Sequence, residues 1–344
     1  MIYRNEADFS KDIKNLQMQN LYLLYGSENY LIDMYVDMIK SIMIGDGNEN
    51  FNLSIIDGKE TNLQEISDTV ESMPLLSEKR VVVLDNPDMS RIVSTTAFAQ
   101  ILSDIPPYTC LIIPIRNFDI TPQKNKTHKE LINLCDKNGA VISLDGRNEG
   151  DLTKFIIATA KKGNAEIEKN EAVILIEKCS SNMQKITTEI AKLTAYVDGG
   201  KITQEVIEKV VVATVEAQIY DLSKMISAGN LDKAIAILDK LFYLREPPVV
   251  ILSALSYYFS DLYKAKIAKE NAVPMSECSA VFGYKPNDFR IKNAFRDCTR
   301  YSNKYLSKII EILADADLDL KSSRLEDRFI IERAITQIFV SKDK

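Results

Sequence analysis

The sequence contains no tryptophan and one histidine, His128. A lone imidazole excludes multi-histidine metal sites and leaves almost no room for Ser-His or Cys-His nucleophilic chemistry within one chain. The five cysteines (Cys110, Cys135, Cys179, Cys278 and Cys298) are odd in number and widely spaced, so neither a disulfide framework nor zinc-ligand spacing is present. No metal site is expected, and reduced thiols point to a cytoplasmic setting. No stretch reaches about 18 uninterrupted apolar residues, and the opening MIYRNEADFSKDIKNLQ mixes acids with bases, so the sequence predicts neither a membrane span nor a secretory signal. Cationic excess is also missing: 43 Lys and Arg against 49 Asp and Glu leave a formal charge of −6, which argues against a broad face for duplex DNA and in favour of protein partners.

What is present, 344 residues at 46% hydrophobic, suffices for two or three domains of about 150 residues or fewer. In the first third, short apolar runs alternate with helical patterns. Leu21 to Tyr25, Phe51 to Ile56, Val81 to Leu84, Cys110 to Ile113 and Ala140 to Leu144 read as buried strands of a parallel α/β sheet. Leu31, Tyr35, Met38, Ile39 and Ile42 share one face of an intervening helix. After GRNEGD at 146–151 the spacing is helical with no convincing strand. Ala172 to Cys179, Met183 to Tyr196 and Thr203 to Val212 continue a small helical unit. A longer helical region follows from about 213, with breaks at Gly229, Pro247-Pro248, Pro274 and Gly283 to Pro286. The expected division is 1–144, an α/β domain; 145–212, a small helical domain; and 213–344, an all-α domain. Apolar stripes at Leu231, Ala234, Ile235, Leu238, Leu241 and Phe242, and at Ile309, Ile310, Leu313 and Leu318, are accounted for by core packing.

A strand followed by Gly26 and a helix is where a P-loop holds a triphosphate. With Gly26 as the first glycine of GxxxxGK[ST], the second glycine falls on Leu31, the lysine on Ile32 and the hydroxyl residue on Asp33. Leu31 hinders close approach of phosphate, Ile32 supplies no ammonium, Asp33 puts a carboxylate where a magnesium-binding hydroxyl belongs, and Glu28 adds repulsion. No nucleotide, and no other cofactor, is expected. Asp85 ends a strand, but Asn86-Pro87 follow it, so a turn or cap role is the plainer reading. A helix carrying Leu63, Ile66, Val70 and Met73 on one side is stopped by Pro74, and Leu75 and Leu76 follow on a short connection. Spacing alone favours these leucines closing the helix–strand corner of the core. Successive side chains on a turn diverge, however, so at least one of them should face solvent, with Ser77, Glu78, Lys79 and Arg80 as a polar rim.

Taken in order, LYLLYGSENYLID at 21–33, TVESMPLLSEKRVVVLD at 69–85, SSNMQKITTEIAKL at 180–193, IYDLSKMISAGNLDKAIAILDKL with EPPVVILSALSYYFSDLYKAK at 219–266, and DADLDLKSSRLEDRFIIERAI at 315–335 resemble the delta subunit of the bacterial DNA polymerase III clamp loader over nearly the full length. The resemblance implies an AAA+/RecA-like domain, a helical lid and a helical collar that joins a pentameric ring. It implies a non-catalytic subunit that binds and opens the beta sliding clamp through Met73, Pro74, Leu75 and Leu76, beside tau/gamma motor subunits and delta-prime, with primer-template DNA met only inside the assembled complex. The intact P-loop and zinc cysteines of the motor subunits and the Ser-Arg-Cys finger of delta-prime are absent from this sequence. It departs from the family at Leu75-Leu76, where Leu-Phe or Phe-Phe is more usual. Two other classes stay open on the residues themselves: a P-loop-like nucleotide-binding enzyme, which the lost lysine and hydroxyl oppose, and an ATPase-related DNA-binding adaptor, for which Lys124, Lys126, Lys129, Lys161 and Lys162 are candidate phosphate contacts. A solvated surface is the plainer reading of those lysines, and the helical spacing of Tyr257-Tyr258 and Tyr263 favours packing over base stacking.

Overall fold

A computed structural model describes residues 1–3, 5–45, 49–118, 120–284 and 289–341. The chain divides into two compact units, Met1–Gly146 and Arg147–Lys344.

In the first unit, β1 (Ile2–Tyr3), β2 (Leu21–Tyr25), β3 (Leu53–Asp57), β4 (Arg80–Asp85), β5 (Thr109–Pro114) and β6 (Ala140–Ser143) form one parallel sheet in the order β1-β6-β2-β5-β4-β3. Parallel strands require crossovers, supplied by α1 (Glu6–Lys14), α2 (Asn29–Ile44), α3 (Glu49–Asn52), α4 (Leu63–Glu71), α5 (Thr96–Ser103) and α6 (Lys126–Asn138). The central strands β2, β4 and β5 are buried along nearly their whole length and apolar in their middles, because helices cover both faces. Leu23, Val82, Leu111 and Val141 meet Ile66, Val70, Phe98 and Leu131 in one core layer. Leu31, Tyr35 and Ile39 of α2 are buried, as their spacing predicts.

Three local expectations are corrected. Phe51 and Asn52 lie in the helical turn α3 and the strand begins at Leu53, because Asn52 turns its amide inward to serve another segment's backbone. β1 was not anticipated; it is two residues long, too short for a period to show, and it pairs with β6. Met73 does not share the buried face of α4: the helix ends at Glu71, extended Ser72 turns the chain away, and Met73 is 79% exposed.

The second unit opens with α7 (Glu149–Lys162), α8 (Lys169–Lys178), α9 (Met183–Val197) and α10 (Gln204–Val210). Here the expectation of no strand is also corrected, since β7 (Glu166–Ile167) and β8 (Lys201–Ile202) form a two-residue parallel pair below the reach of pattern reading. Then come α11 (Val215–Ala228), α12 (Leu231–Tyr243), α13 (Pro248–Glu270), α14 (Met275–Val281), α15 (Phe289–Asp297), α16 (Asn303–Ser322) and α17 (Asp327–Ser341). Their shared core includes Ala234, Leu238, Leu241, Leu255, Phe259, Ile309, Leu313 and Ile335. Leu318, placed in a packing stripe by its spacing, is instead exposed. The break expected at Gly283 to Pro286 runs outside the described residues from 285. The architecture is thus an α/β unit built on one parallel sheet, followed by a predominantly helical unit that carries one short strand pair.

Candidate functional site

In open parallel sheets, ligands bind in the crevice outside the carboxyl ends of the strands, at the point where strand order reverses. Here that point is the end of β2, flanked by β5 and β6. The loop that leaves it, Gly26-Ser27-Glu28, is tied to the chain leaving β6. A Cβ on Gly26 would lie 2.3 Å from the Leu144 carbonyl oxygen, so the glycine serves a close approach to the chain leaving β6. Glu28 N–H donates to that same carbonyl at 3.0 Å, and the Ser27 amide and hydroxyl both donate to Asp145 Oδ1 at 3.2 Å. Glu28 caps α2, its carboxylate accepting from Tyr30 N–H at 3.2 Å, which puts this chain's own negative group at the helix end where a phosphate would sit. Leu31 and Ile32 are buried in the core, so neither reaches the crevice, while Asp33 does.

Across from Asp33 lies a residue that sequence reasoning missed. Arg116, just past β5, places Nε 2.6 Å from Asp33 Oδ1 and Nη1 2.5 Å from Asp85 Oδ1. Its backbone N–H donates to Asn86 Oδ1 at 2.6 Å, and Asn29 Nδ2 donates to Asn117 Oδ1 at 2.6 Å. Asp33 and Asp85 occupy the positions where a P-loop protein would hold magnesium, and a guanidinium bridges them. Asp85 is therefore an ion-pair partner, beyond the turn or cap role its sequence position suggests. The only sequence signal for Arg116 was a basic residue following a buried strand.

At the opposite, amino-terminal end of the sheet, α4 delivers the chain into the corner Met73-Pro74-Leu75-Leu76. The last carbonyls of α4 are satisfied from the sheet side and from its cap. Thr109 Oγ1 donates to Val70 O at 2.8 Å, Tyr108 OH to Glu71 O at 2.9 Å, and Ser72 N–H to Asp68 O at 3.1 Å. Leu75 is then gripped by Asn52, whose Oδ1 accepts its N–H at 2.7 Å and whose Nδ2 donates to its C=O at 2.8 Å. Leu75 is 55% and Leu76 85% exposed, against the core-closing role that spacing alone favours. Leu76 sits at φ +57°, a left-handed conformation that costs a branched aliphatic residue free energy. Glu78 lies exposed on the rim, and Lys79 Nζ reaches Pro107 O. Arg80 does not belong to the rim. As the first residue of β4 it is buried and donates from Nη2 to Ser54 Oγ at 2.9 Å.

Elsewhere, the Glu189 carboxylate is fully buried between Lys185 at 2.8 Å and Lys192 at 2.5 Å. Lys124, Lys126, Lys129, Lys161 and Lys162 are exposed, but the first three lie in one unit and the last two in the other. Tyr258 and Tyr263 pack on the helical core, while Tyr257 is largely exposed. All five cysteines are buried, and no metal-binding cluster occurs among the described residues. No described helix is long and apolar enough to cross a membrane.

Two family models match the chain: that of the DNA polymerase III delta subunit, over residues 22–144, and that of the C-terminal domain of the same DNA polymerase III protein, over residues 216–338. DNA polymerase III subunit delta of Bacillus subtilis is 24% identical over 347 residues, 98% of each chain. A probable DNA polymerase III subunit delta of Aquifex aeolicus is 19% identical over 284 residues, covering 80% of this chain and 78% of that protein. The solved structure of the Bacillus subtilis DNA clamp loader delta protein shares the fold at a TM-score of 0.72 and 23% identity, over 97% of this chain and 99% of that one. With matching models on both the sheet unit and the terminal helices, the chain belongs to the DNA polymerase III delta subunit family.

Proposed function

We propose that this delta-family chain binds the beta sliding clamp through Met73, Pro74, Leu75 and Leu76 and holds it open for loading onto primed DNA, without hydrolysing ATP. The observation that carries the reading is the corner itself: two leucines and a methionine standing in solvent on a backbone pinned by Asn52, one of them in a strained conformation. Strain and exposed apolar surface both cost the free protein stability, and both are accounted for by a partner's apolar pocket. Each leucine transferred into such a pocket contributes roughly 1.5 to 3 kcal/mol, the scale of an interface hot spot.

A ring opens only when its ligand prefers the open form, because equal affinity for both forms shifts no population. In this reading the leucines anchor in the clamp while the adjoining α4 presses a surface loop that the closed ring cannot accommodate. The crevice supports a role without catalysis, since its helix end is capped by Glu28 and its two acids are engaged by Arg116. Energy for assembly then comes from tau/gamma motor subunits, which this chain meets, with delta-prime, through a collar at 213–344. A lid at 145–212 links that collar to the clamp-binding domain at 1–144. Primer-template DNA is contacted only inside the assembled, cytoplasmic complex.

Co-purification with the cognate clamp tests the reading. The wild-type chain retains the clamp, and the Leu75→Ala/Leu76→Ala variant loses it with an unchanged melting temperature. Equal retention by both removes the anchor.

A further inference from the structure

Leucine corners of this kind act only if they are held in one place, and the residue that holds this one lies 23 positions upstream, in a different element. Asn52 ends α3 and has no solvent exposure. Its side-chain amide is matched to the backbone of Leu75 on both sides, accepting the N–H at 2.7 Å and donating to the C=O at 2.8 Å, as a neighbouring strand would. A buried primary amide has no apolar substitute that preserves such pairing, and burying it unpaired costs more than exposing it. The two bonds fix the peptide planes on either side of Leu75, and so set the direction in which Leu75 leaves the corner and the conformation from which Leu76 must start. Pro74 restricts the chain on the other side.

We infer that Asn52 is a positioning residue for clamp engagement, a backbone clip that pre-orders the Leu75-Leu76 corner so that its ordering entropy is not lost on binding. The inference rests on the clamp-binding reading and adds to it a residue that touches no partner. Pre-organisation of this kind appears as affinity, because every backbone residue left free in the unbound state must be fixed at the interface.

The test uses the full chain with two readouts, affinity for the cognate clamp and hydrogen–deuterium exchange across 72–79 in the free protein. Asn52→Leu, which fills the space without pairing, and Asn52→Ala should each bind the clamp roughly tenfold more weakly, about the factor for ordering one backbone residue. Exchange at Leu75 should accelerate while β4 and β5 stay protected. Affinity within about twofold of wild type in a folded Asn52→Leu protein overturns the inference, since a factor below about 3 is under the cost of ordering one backbone residue. So does a Leu75 amide that exchanges in the wild type as fast as an unprotected one, a result that needs no variant to fold. Clamp retention by the Leu75→Ala/Leu76→Ala protein removes the clamp reading instead, and leaves the exchange result to judge the clip alone.

Discussion

Replacing Arg116 by methionine removes one positive charge and keeps most of the side-chain volume. In the folded protein the guanidinium bridges Asp33 and Asp85 and is itself only 19% exposed, whereas the two acids are 53% and 37% exposed. A hydrogen bond to a charged group contributes about 1.5 to 3 kcal/mol when sheltered. Solvent reaches both acids, and exposed ion pairs contribute only about 0.2 to 1 kcal/mol, so the two bridges together are worth about 1 to 2 kcal/mol. For a unit of this size about 1 kcal/mol moves the melting temperature by about 2 to 4 °C, giving an expected drop of roughly 2 to 8 °C in the transition of the sheet unit. Calorimetry or circular dichroism reads it, since the chain has no tryptophan to report by fluorescence. The gap between wild type and variant should narrow as salt rises from about 0.05 to 0.5 M, because screening weakens the wild type's bridges. Adding Asp33→Asn to the methionine variant should recover part of the loss by removing an acid that has lost its partner. A melting temperature within about 1 °C of wild type, with no salt dependence of the difference, would refute the view that Arg116 holds the crevice together.

Leu76→Asn should raise the stability of the free chain by about 0.5 to 1 kcal/mol, because asparagine tolerates the left-handed conformation, while weakening retention on the clamp; a destabilised variant counts against strain at this position. Titration with Mg-ATP should show no saturable binding at millimolar concentrations, and a stoichiometric calorimetric signal would reopen the enzyme reading. Burial pushes the Cys110 and Cys179 thiols up to about 12, and it raises Cys135, Cys278 and Cys298 as well. All five should therefore resist alkylation at pH 8 until the chain unfolds, as mass spectrometry of iodoacetamide-treated protein will show.

Much of this protein was legible in its sequence because the relevant signals are local and periodic. Five apolar runs bounded by turns gave the central strands, the i, i+4, i+8 recurrence of Leu31, Tyr35 and Ile39 gave α2, and the change of period after residue 145 marked the end of the sheet. Missing residue types were as informative, since Ile32 and Asp33 in a P-loop frame speak against triphosphate chemistry whatever the tertiary arrangement. β1, β7 and β8 escaped because two residues cannot establish a period.

Tertiary structure alone decided which polar groups meet. Asp33, Asp85 and Arg116 come from three segments separated by 31 to 83 positions, and only the winding of the sheet brings their charges into one crevice. Whether Leu75 and Leu76 close the core or face outward depended on the path of the chain after Ser72 and on the grip of Asn52, neither of which has a sequence period. Arg80, which reads as a surface base beside Lys79, became buried because β4 begins one residue earlier than its apolar run. Periodicity fixes which face of an element is apolar. The direction of a side chain at a turn, and the partner of a lone charge, are set by contacts between segments remote in sequence.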